Sequence, residues 1–222
     1  MNDTPILQRT DEGLTLIAGD RRLYGDFTRM TARLKKNSLA GELLVRAAKI
    51  KDADHPLTAV DATAGLGEDS LLLAAAGFSV TLCERNPTIF ALLEDAVRRA
   101  AEIPSLAEAL SRMHLHHGDS IAYLASLDTP PDVILLDPMF PERQKSALVK
   151  NKLQMIQMLE DPCDDERTLL LAAVDAHPTK LVIKRPPKGP HLAGVKPDYS
   201  IAGKAVRFDC FAMPHERRSR FL

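Results

Sequence analysis

Apolar residues fall along this chain in two kinds of run, and from about residue 57 onward the two kinds alternate. Short contiguous blocks at Leu57-Thr58-Ala59-Val60, Ser79 to Cys83, Met113 to His117, Pro131 to Leu136 and Lys180 to Ile183 predict five strands. Longer segments between them, Ser70 to Ala76, Pro87 to Ala101, Ser120 to Leu127 and Glu166 to Ala176, predict helices. Gly77 stops the first of these, and Pro87 sits in the first turn of the second. Strand and helix in alternation predict an α/β fold, a doubly wound and mostly parallel sheet with helices on both faces. Tyr199 to Ala212 predicts a terminal antiparallel hairpin turning near Gly203-Lys204. Residues 1–51 differ in kind: a strand is expected at Leu14 to Ile17, then a basic connection, then a helix from about Ser38 to Ile50. They are expected to form an N-terminal extension packed on the main sheet, with residues 52–222 as the principal domain. No internal repeat, low-complexity tract or long linker interrupts the pattern.

At 222 residues the chain can build one substantial core, and its 45% hydrophobic and 27% charged content is that of a globular protein. Taken alone, the net charge of −1 argues against a polyanionic partner, but it averages over a segregated chain. Residues 20–51 carry nine basic and three acidic side chains, and residues 180–222 carry ten and three. Residues 52–179 are the reverse, with nine basic and twenty-one acidic. Two basic flanks around an acidic centre can present a positive face at short range. The plainer alternative is two solvated basic surfaces. Cys83, Cys163 and Cys210 are odd in number and unpaired in spacing, as expected of free thiols in a reducing compartment. No apolar run reaches the roughly 18 residues needed to cross a bilayer, and residues 1–5 lack the layout of a signal peptide, so a cytoplasmic location is expected.

In a doubly wound sheet, ligands sit beyond the carboxyl ends of the strands, so each loop after a strand needs a chemical reading. After the first strand comes D-A-T-A-G-L-G, Asp61 to Gly67, then Glu68-Asp69-Ser70. Gly65 and Gly67 allow a tight turn and a close backbone approach to a ligand, although a plain strand-to-helix turn has the same pattern. Glu84, at the end of the second strand, is placed to accept both hydroxyls of a ribose, followed by Arg85. That combination leaves open a dinucleotide such as NAD or S-adenosylmethionine. The acidic Glu68-Asp69 pair favours the cationic cofactor over a pyrophosphate. Asp119 and Ser120 follow the third strand and are placed to contact an adenine or to cap the next helix. His114, His116 and His117 do not make a metal site, because the strand turns them to opposite faces and no second ligand cluster exists.

The most specific loop is Leu136-Asp137-Pro138-Met139-Phe140-Pro141. It resembles the [D/N/S]-P-P-[Y/F] motif of methyltransferases that act on planar exocyclic amines. The lone pair of such an amine is delocalised into its ring, and a carboxylate with a backbone carbonyl, Asp137 and Pro138, can accept its two N–H groups from preorganised positions. Phe140 is placed to stack on the extruded base. Together with L-C-E-R-N-P, V-I-K-R-P and the string from Leu136 to Lys150, the chain closely resembles the ribosomal RNA small-subunit methyltransferase J family, from about Tyr24 to Asp209.

That resemblance implies a class I, Rossmann-like methyltransferase domain at residues 52–222 and S-adenosylmethionine as cofactor. It implies transfer to guanine N2 near the 3′ end of 16S rRNA, with the rRNA or the small ribosomal subunit as partner and no metal. Cofactor contacts would fall on Asp61, Gly65, Gly67, Glu68, Asp69, Glu84, Arg85, Asp119, Ser120 and Asp137. Arg29, Arg33, Lys35 and Lys36 on one flank, with Lys145, Lys150, Lys184, Arg185 and Lys188 near the active-site rim, are candidate phosphate contacts. Met139 replaces the second proline of other amine methyltransferases, as in the family. The stretch from Arg33 to Gly41 carries a single glycine where the family has a glycine-rich segment, so an RNA-facing turn of different shape is expected. Other readings are the same cofactor with a DNA adenine or protein amide as acceptor, an NAD-linked oxidoreductase, and a non-catalytic RNA-binding protein on an old fold. Oligomeric state is not legible.

Overall fold

A computed structural model of the chain describes residues 4–138, 155–156, 159, 166–213 and 221. The main sheet has seven strands: β4 (Thr58–Asp61), β5 (Ser79–Glu84), β6 (Met113–His117), β7 (Val133–Leu136), β8 (Lys180–Arg185), β9 (Tyr199–Ala202) and β10 (Arg207–Ala212), in the spatial order β6-β5-β4-β7-β8-β10-β9. The first five are parallel, and β10 runs antiparallel to both β8 and β9. The order reverses between β4 and β7, which opens a crevice at their carboxyl ends.

The strands are apolar on both faces because both faces are covered. Ala59, Val80, Leu82, Val133, Leu135 and Val182 point into one core, with Leu71 to Ala74 of α3 (Glu68–Ala75) and Leu106 of α5 (Pro104–Leu110). Val60, Ile134, Leu136, Leu181 and Ile183 point into the other, with Leu124 of α6 (Ser120–Ala125) and Leu169, Leu170 and Ala173 of α7 (Glu166–Asp175). The five predicted strands and four predicted helices are all present, with boundaries moved by a few residues. Helix α5 escaped the sequence reading because it is short and shares the polar connection that follows α4 (Pro87–Ala100).

The N-terminal segment departs further from expectation. The single strand expected at Leu14 to Ile17 is the centre of a three-stranded antiparallel sheet, β1 (Ile6–Thr10), β2 (Gly13–Ala18) and β3 (Arg21–Leu23). This sheet packs through Leu16, Ala18 and Leu23 on Ile89 and Leu92 of α4, not on the main sheet. The helix expected from Ser38 to Ile50 is two, α1 (Lys36–Leu39) and α2 (Leu43–Ala48). Gly41 weakens helix propensity there, and Glu42 takes an extended conformation (ψ 130°), its carboxylate held by Arg33. Helix α2 packs on the main sheet beside β8, β9 and β10.

Asp95 of α4 ties the small sheet down. Buried at 5% exposure, it accepts from the Leu14 N–H (2.9 Å), Arg98 (2.7 Å), Arg99 (2.7 Å) and Arg9 (3.2 Å). Burial alone would raise its pKa, but the hydrogen bonds from Arg99, the Leu14 N–H and Arg98 outweigh it and hold the carboxyl well below the usual range. Asp95→Ala leaves that N–H and the guanidinium of Arg99 without their acceptor, so urea denaturation should show a loss of roughly 3 kcal/mol. A depressed folded pKa contributes stability above the carboxylate range, so the wild-type advantage over Asp95→Ala should shrink as pH falls from 5 towards 2.

Candidate functional site

The crevice is built by four loops at the carboxyl ends of β4, β5, β6 and β7, with β8 closing one side. After β4 the backbone is left-handed at Gly65 (φ 54°) and Gly67 (φ 76°), for two different reasons. A Cβ on Gly67 would come within 2.7 Å of Leu93 Cδ1, so this glycine serves packing. A Cβ on Gly65 would meet nothing within 4 Å, so this turn presents bare backbone to open space just ahead of α3.

Glu84 ends β5 and closes over that turn. Its Oε2 accepts the Gly65 N–H (3.1 Å) and its Oε1 the Asn86 N–H (2.8 Å), which aims a buried carboxylate at the crevice. Arg85 next to it is exposed. After β6, Asp119 caps α6 by accepting the Ala122 N–H (3.0 Å), and Ser120 is the first residue of that helix. Asp119 is exposed at the mouth, so the capping role and a ligand role are compatible in space.

Asp61 ends β4 in register with Leu135, and Asp137 follows two residues further on, just past the end of the neighbouring parallel strand β7. Asp61 is 2% exposed and accepts from Ser70 Oγ (2.6 Å) and the Thr63 N–H (3.2 Å). The Thr63 hydroxyl in turn accepts the Asp137 N–H (2.6 Å), which locks the turn after β4 to the loop after β7. Lys184 of β8 donates to Asp69 Oδ2 (2.5 Å) and pairs with Asp137 Oδ2 (2.9 Å). Three carboxylates thus crowd one partly enclosed volume around one ammonium. Burial, reinforced by Asp69 and Asp137 and opposed by Ser70 and Thr63, pushes Asp61 up to about 7. Burial also raises Asp137, with Lys184 opposing and Asp69 reinforcing. The two carboxylates raise Lys184 despite its burial.

Asp61, Gly65, Asp69, Glu84, Asp119, Ser120, Asp137 and the buried Pro138 are therefore gathered at the carboxyl edge of the sheet, with Glu68 opening α3 there and Gly67 packed behind the turn. Phe140, Lys145 and Lys150 lie outside the described residues. The phosphate candidates divide. Arg29, Lys35, Lys36 and Lys188 are exposed, Arg29 against Asp26 (2.9 Å) and Lys188 in the loop after β8. Arg33 holds Glu42 through two 2.7 Å hydrogen bonds and lies within electrostatic reach of Asp69 and Glu68, which brings the N-terminal basic segment beside the crevice. Two expectations are corrected. Arg185 is 1% exposed, donates to the Pro190 carbonyl and pairs with Glu166, because its position on a covered strand turns it inward. Lys184 is not a rim cation, since its ammonium faces Asp69 and Asp137. The sequence reading missed Thr63, whose only signal was its place inside the Asp61-to-Gly67 turn.

Among the described residues no group of three His, Cys, Asp or Glu side chains is placed to hold a metal. The three histidines diverge, with His114 on Ser79 (3.1 Å), His116 against Tyr123 and His117 stacked on Phe90. Cys83 and Cys210 are buried, and burial pushes their thiols up to about 12 and about 11, far from a nucleophilic thiolate. No helix among the described residues is long and apolar enough to cross a membrane. The crevice thus offers a carboxylate and bare backbone suited to a ribose at one end, and acceptors suited to cationic or N–H groups at the other.

The comparisons with known proteins agree with that geometry. A family model described as putative SAM-dependent methyltransferase matches residues 2–213. Ribosomal RNA small subunit methyltransferase J of Thioalkalivibrio sulfidiphilus is 45% identical over 185 residues, 82% of this chain and 72% of that protein. The protein of the same name from Neisseria gonorrhoeae is 38% identical over 221 residues, 93% of this chain and 87% of that one. A crystal structure of a SAM-dependent methyltransferase from Neisseria gonorrhoeae superimposes with a TM-score of 0.76 at 31% identity, covering 98% of this chain and 86% of that one.

The buried Asp61 makes a prediction that needs no ligand. A carboxyl whose folded pKa is raised to about 7 lowers stability once the pH exceeds its unfolded value of about 3.9, increasingly up to the folded pKa. The thermal midpoint of Asp61→Asn minus that of the wild type should therefore rise between pH 5 and 8. A difference that stays flat across that range would mean Asp61 does not titrate there.

Proposed function

As the chain belongs to the ribosomal RNA small subunit methyltransferase J family of S-adenosylmethionine-dependent methyltransferases, we propose that it methylates the exocyclic N2 of a guanosine near the 3′ end of 16S rRNA. The observation that carries this reading is Asp137 followed by Pro138 at the end of β7, beside the open glycine turn at the topological switch point. The rRNA, free or in the small subunit, is the proposed partner, and the cytoplasm is where such a substrate is met.

The residues present fit S-adenosylmethionine. Open space at Gly65 admits a nucleoside against backbone, Glu84 aims its carboxylate there, and Glu68 and Asp69 place negative charge where a cationic amino-acid end belongs. Asp119, Ser120 and Arg85 complete the proposed cofactor contacts. When bound, the cofactor supplies an already activated methyl on a sulfonium. The chain's own work is then orientation and exclusion of water. Asp137 and the Pro138 carbonyl accept the two N–H groups of the guanine amine, turning its lone pair towards the methyl carbon. As that lone pair is methylated the amine would give up one N–H proton, which the Asp137 carboxylate that accepts the N–H is placed to take. Phe140 is proposed to stack on the base. Arg29, Lys35, Lys36 and Lys188, with Lys145 and Lys150, are proposed to hold phosphates around it.

The test is incubation with methyl-labelled cofactor and small subunits from cells lacking the modification, followed by mapping of the labelled base. Label on a guanine N2 of 16S rRNA is expected, and label confined to DNA or protein would overturn the acceptor assignment. Asp137→Ala should abolish transfer. Glu84→Gln should weaken cofactor binding by about 1.5–3 kcal/mol, roughly 10- to 150-fold in Kd by calorimetry, through loss of charged hydrogen bonds.

A further inference from the structure

Lys184 is paired with two carboxylates of the crevice, Asp69 and Asp137, instead of being turned out towards solvent. Leu136 of β7 pairs in register with Ile183 of β8, so the next residues, Asp137 and Lys184, stand side by side where the two parallel strands end. The ammonium lies 2.9 Å from Asp137 Oδ2 and 2.5 Å from Asp69 Oδ2, with a quarter of the side chain exposed. To reach a phosphate it would have to leave two carboxylates for one anion in water, an unfavourable exchange for a partly buried charge.

We propose that Lys184 is a positioning residue for the amine acceptor: its ammonium fixes one oxygen of Asp137 and keeps that carboxylate an acceptor where the substrate N–H is received. The inference rests on the reading of Asp137 given above. An ionised carboxylate accepts at both oxygens, whereas a protonated one presents a donor. A donor there would engage the amine lone pair that has to attack. Among the described residues, partial burial and the like charge of Asp69 from α3 work against ionisation of Asp137, Asp61 from β4 and Asp137 repel each other, and Arg185 favours the ionised form. Lys184, donated by the neighbouring strand, is the close ion-pair partner that offsets them. Its second bond, to Asp69, holds the ammonium between strand and helix so that Asp137 is oriented before any ligand arrives.

The test compares Lys184→Met and Lys184→Arg with the wild type, in two readouts. In the ligand-free protein, carbon-13 NMR of the Asp137 carboxyl, assigned by its absence in Asp137→Asn, follows protonation directly. Lys184→Met should raise the titration midpoint by about one pH unit or more, and Lys184→Arg should leave it near the wild-type value. In the methylation assay Lys184→Met should lower kcat at pH 7 by roughly tenfold or more, with the acid limb of the profile moved up and activity partly regained at higher pH. The KM for rRNA should change by less than about threefold. Should Lys184→Met fold poorly, Lys184→Gln removes the charge while keeping a donor and gives the same comparison. An unmoved midpoint and pH profile with a raised KM for rRNA would overturn the proposal and make Lys184 a phosphate contact. Failure of the wild type to methylate rRNA would instead count against the functional reading, while the ligand-free titration would still decide the role of Lys184.

Discussion

Two acidic residues stand at the carboxyl ends of neighbouring parallel strands, and the protein has to keep both of them there although one, Asp61, is shut away from water. Asp61 and Asp137 lie across the switch point of the sheet, with Asp69 facing them from the first turn of α3. Like charges in an enclosed volume repel strongly. The fold relieves this in three ways: hydrogen bonds to Asp61 from Ser70 and Thr63, the ammonium of Lys184 between Asp69 and Asp137, and an Asp61 carboxyl raised to about 7. A cationic ligand completes the same balance, which is a physical reason for a sulfonium cofactor to bind here. The apolar layers on both faces of β4, β7 and β8 are what make the arrangement rigid enough to matter.

The N-terminal segment has to be understood from the same centre. Its small sheet is anchored by Asp95 on α4, and the chain then passes Gly67, where Phe27 packs, to put Arg33 within electrostatic range of Glu68 and Asp69. Lys188 comes to the same edge from the loop after β8. Arg33 of one basic flank thus lies near the acidic crevice, and a net charge of −1 describes neither the flanks nor the centre.

Much of this was legible in the sequence wherever period or punctuation speaks for itself. The runs Val133 to Leu136 and Lys180 to Ile183 read as covered strands because both faces are apolar, and Gly77 and Pro87 mark helix ends. Asp137-Pro138 and Glu84 stood out because their chemistry needs those residue types after a strand. Three things were not legible, each because tertiary contact decides it. The pairing of β1 and β3 with β2 depends on a carboxylate 81 residues away from Leu14 in the chain. The break between α1 and α2 depends on Arg33 drawing Glu42 out of the helix. Lys184 and Arg185 read as exposed because charge usually is, whereas register beside β7 turns one to Asp137 and the other into the core.

A single crevice is proposed to receive the nucleoside at Gly65 and Glu84 and to deliver the methyl group at Asp137. The most direct measurement is a crystal structure of the protein with S-adenosylhomocysteine. The account predicts ribose hydroxyls on the Glu84 carboxylate, backbone contact at Gly65, and the sulfur facing Asp137 and Pro138. A nucleoside bound away from Glu84, or a sulfur turned away from Asp137, would contradict it.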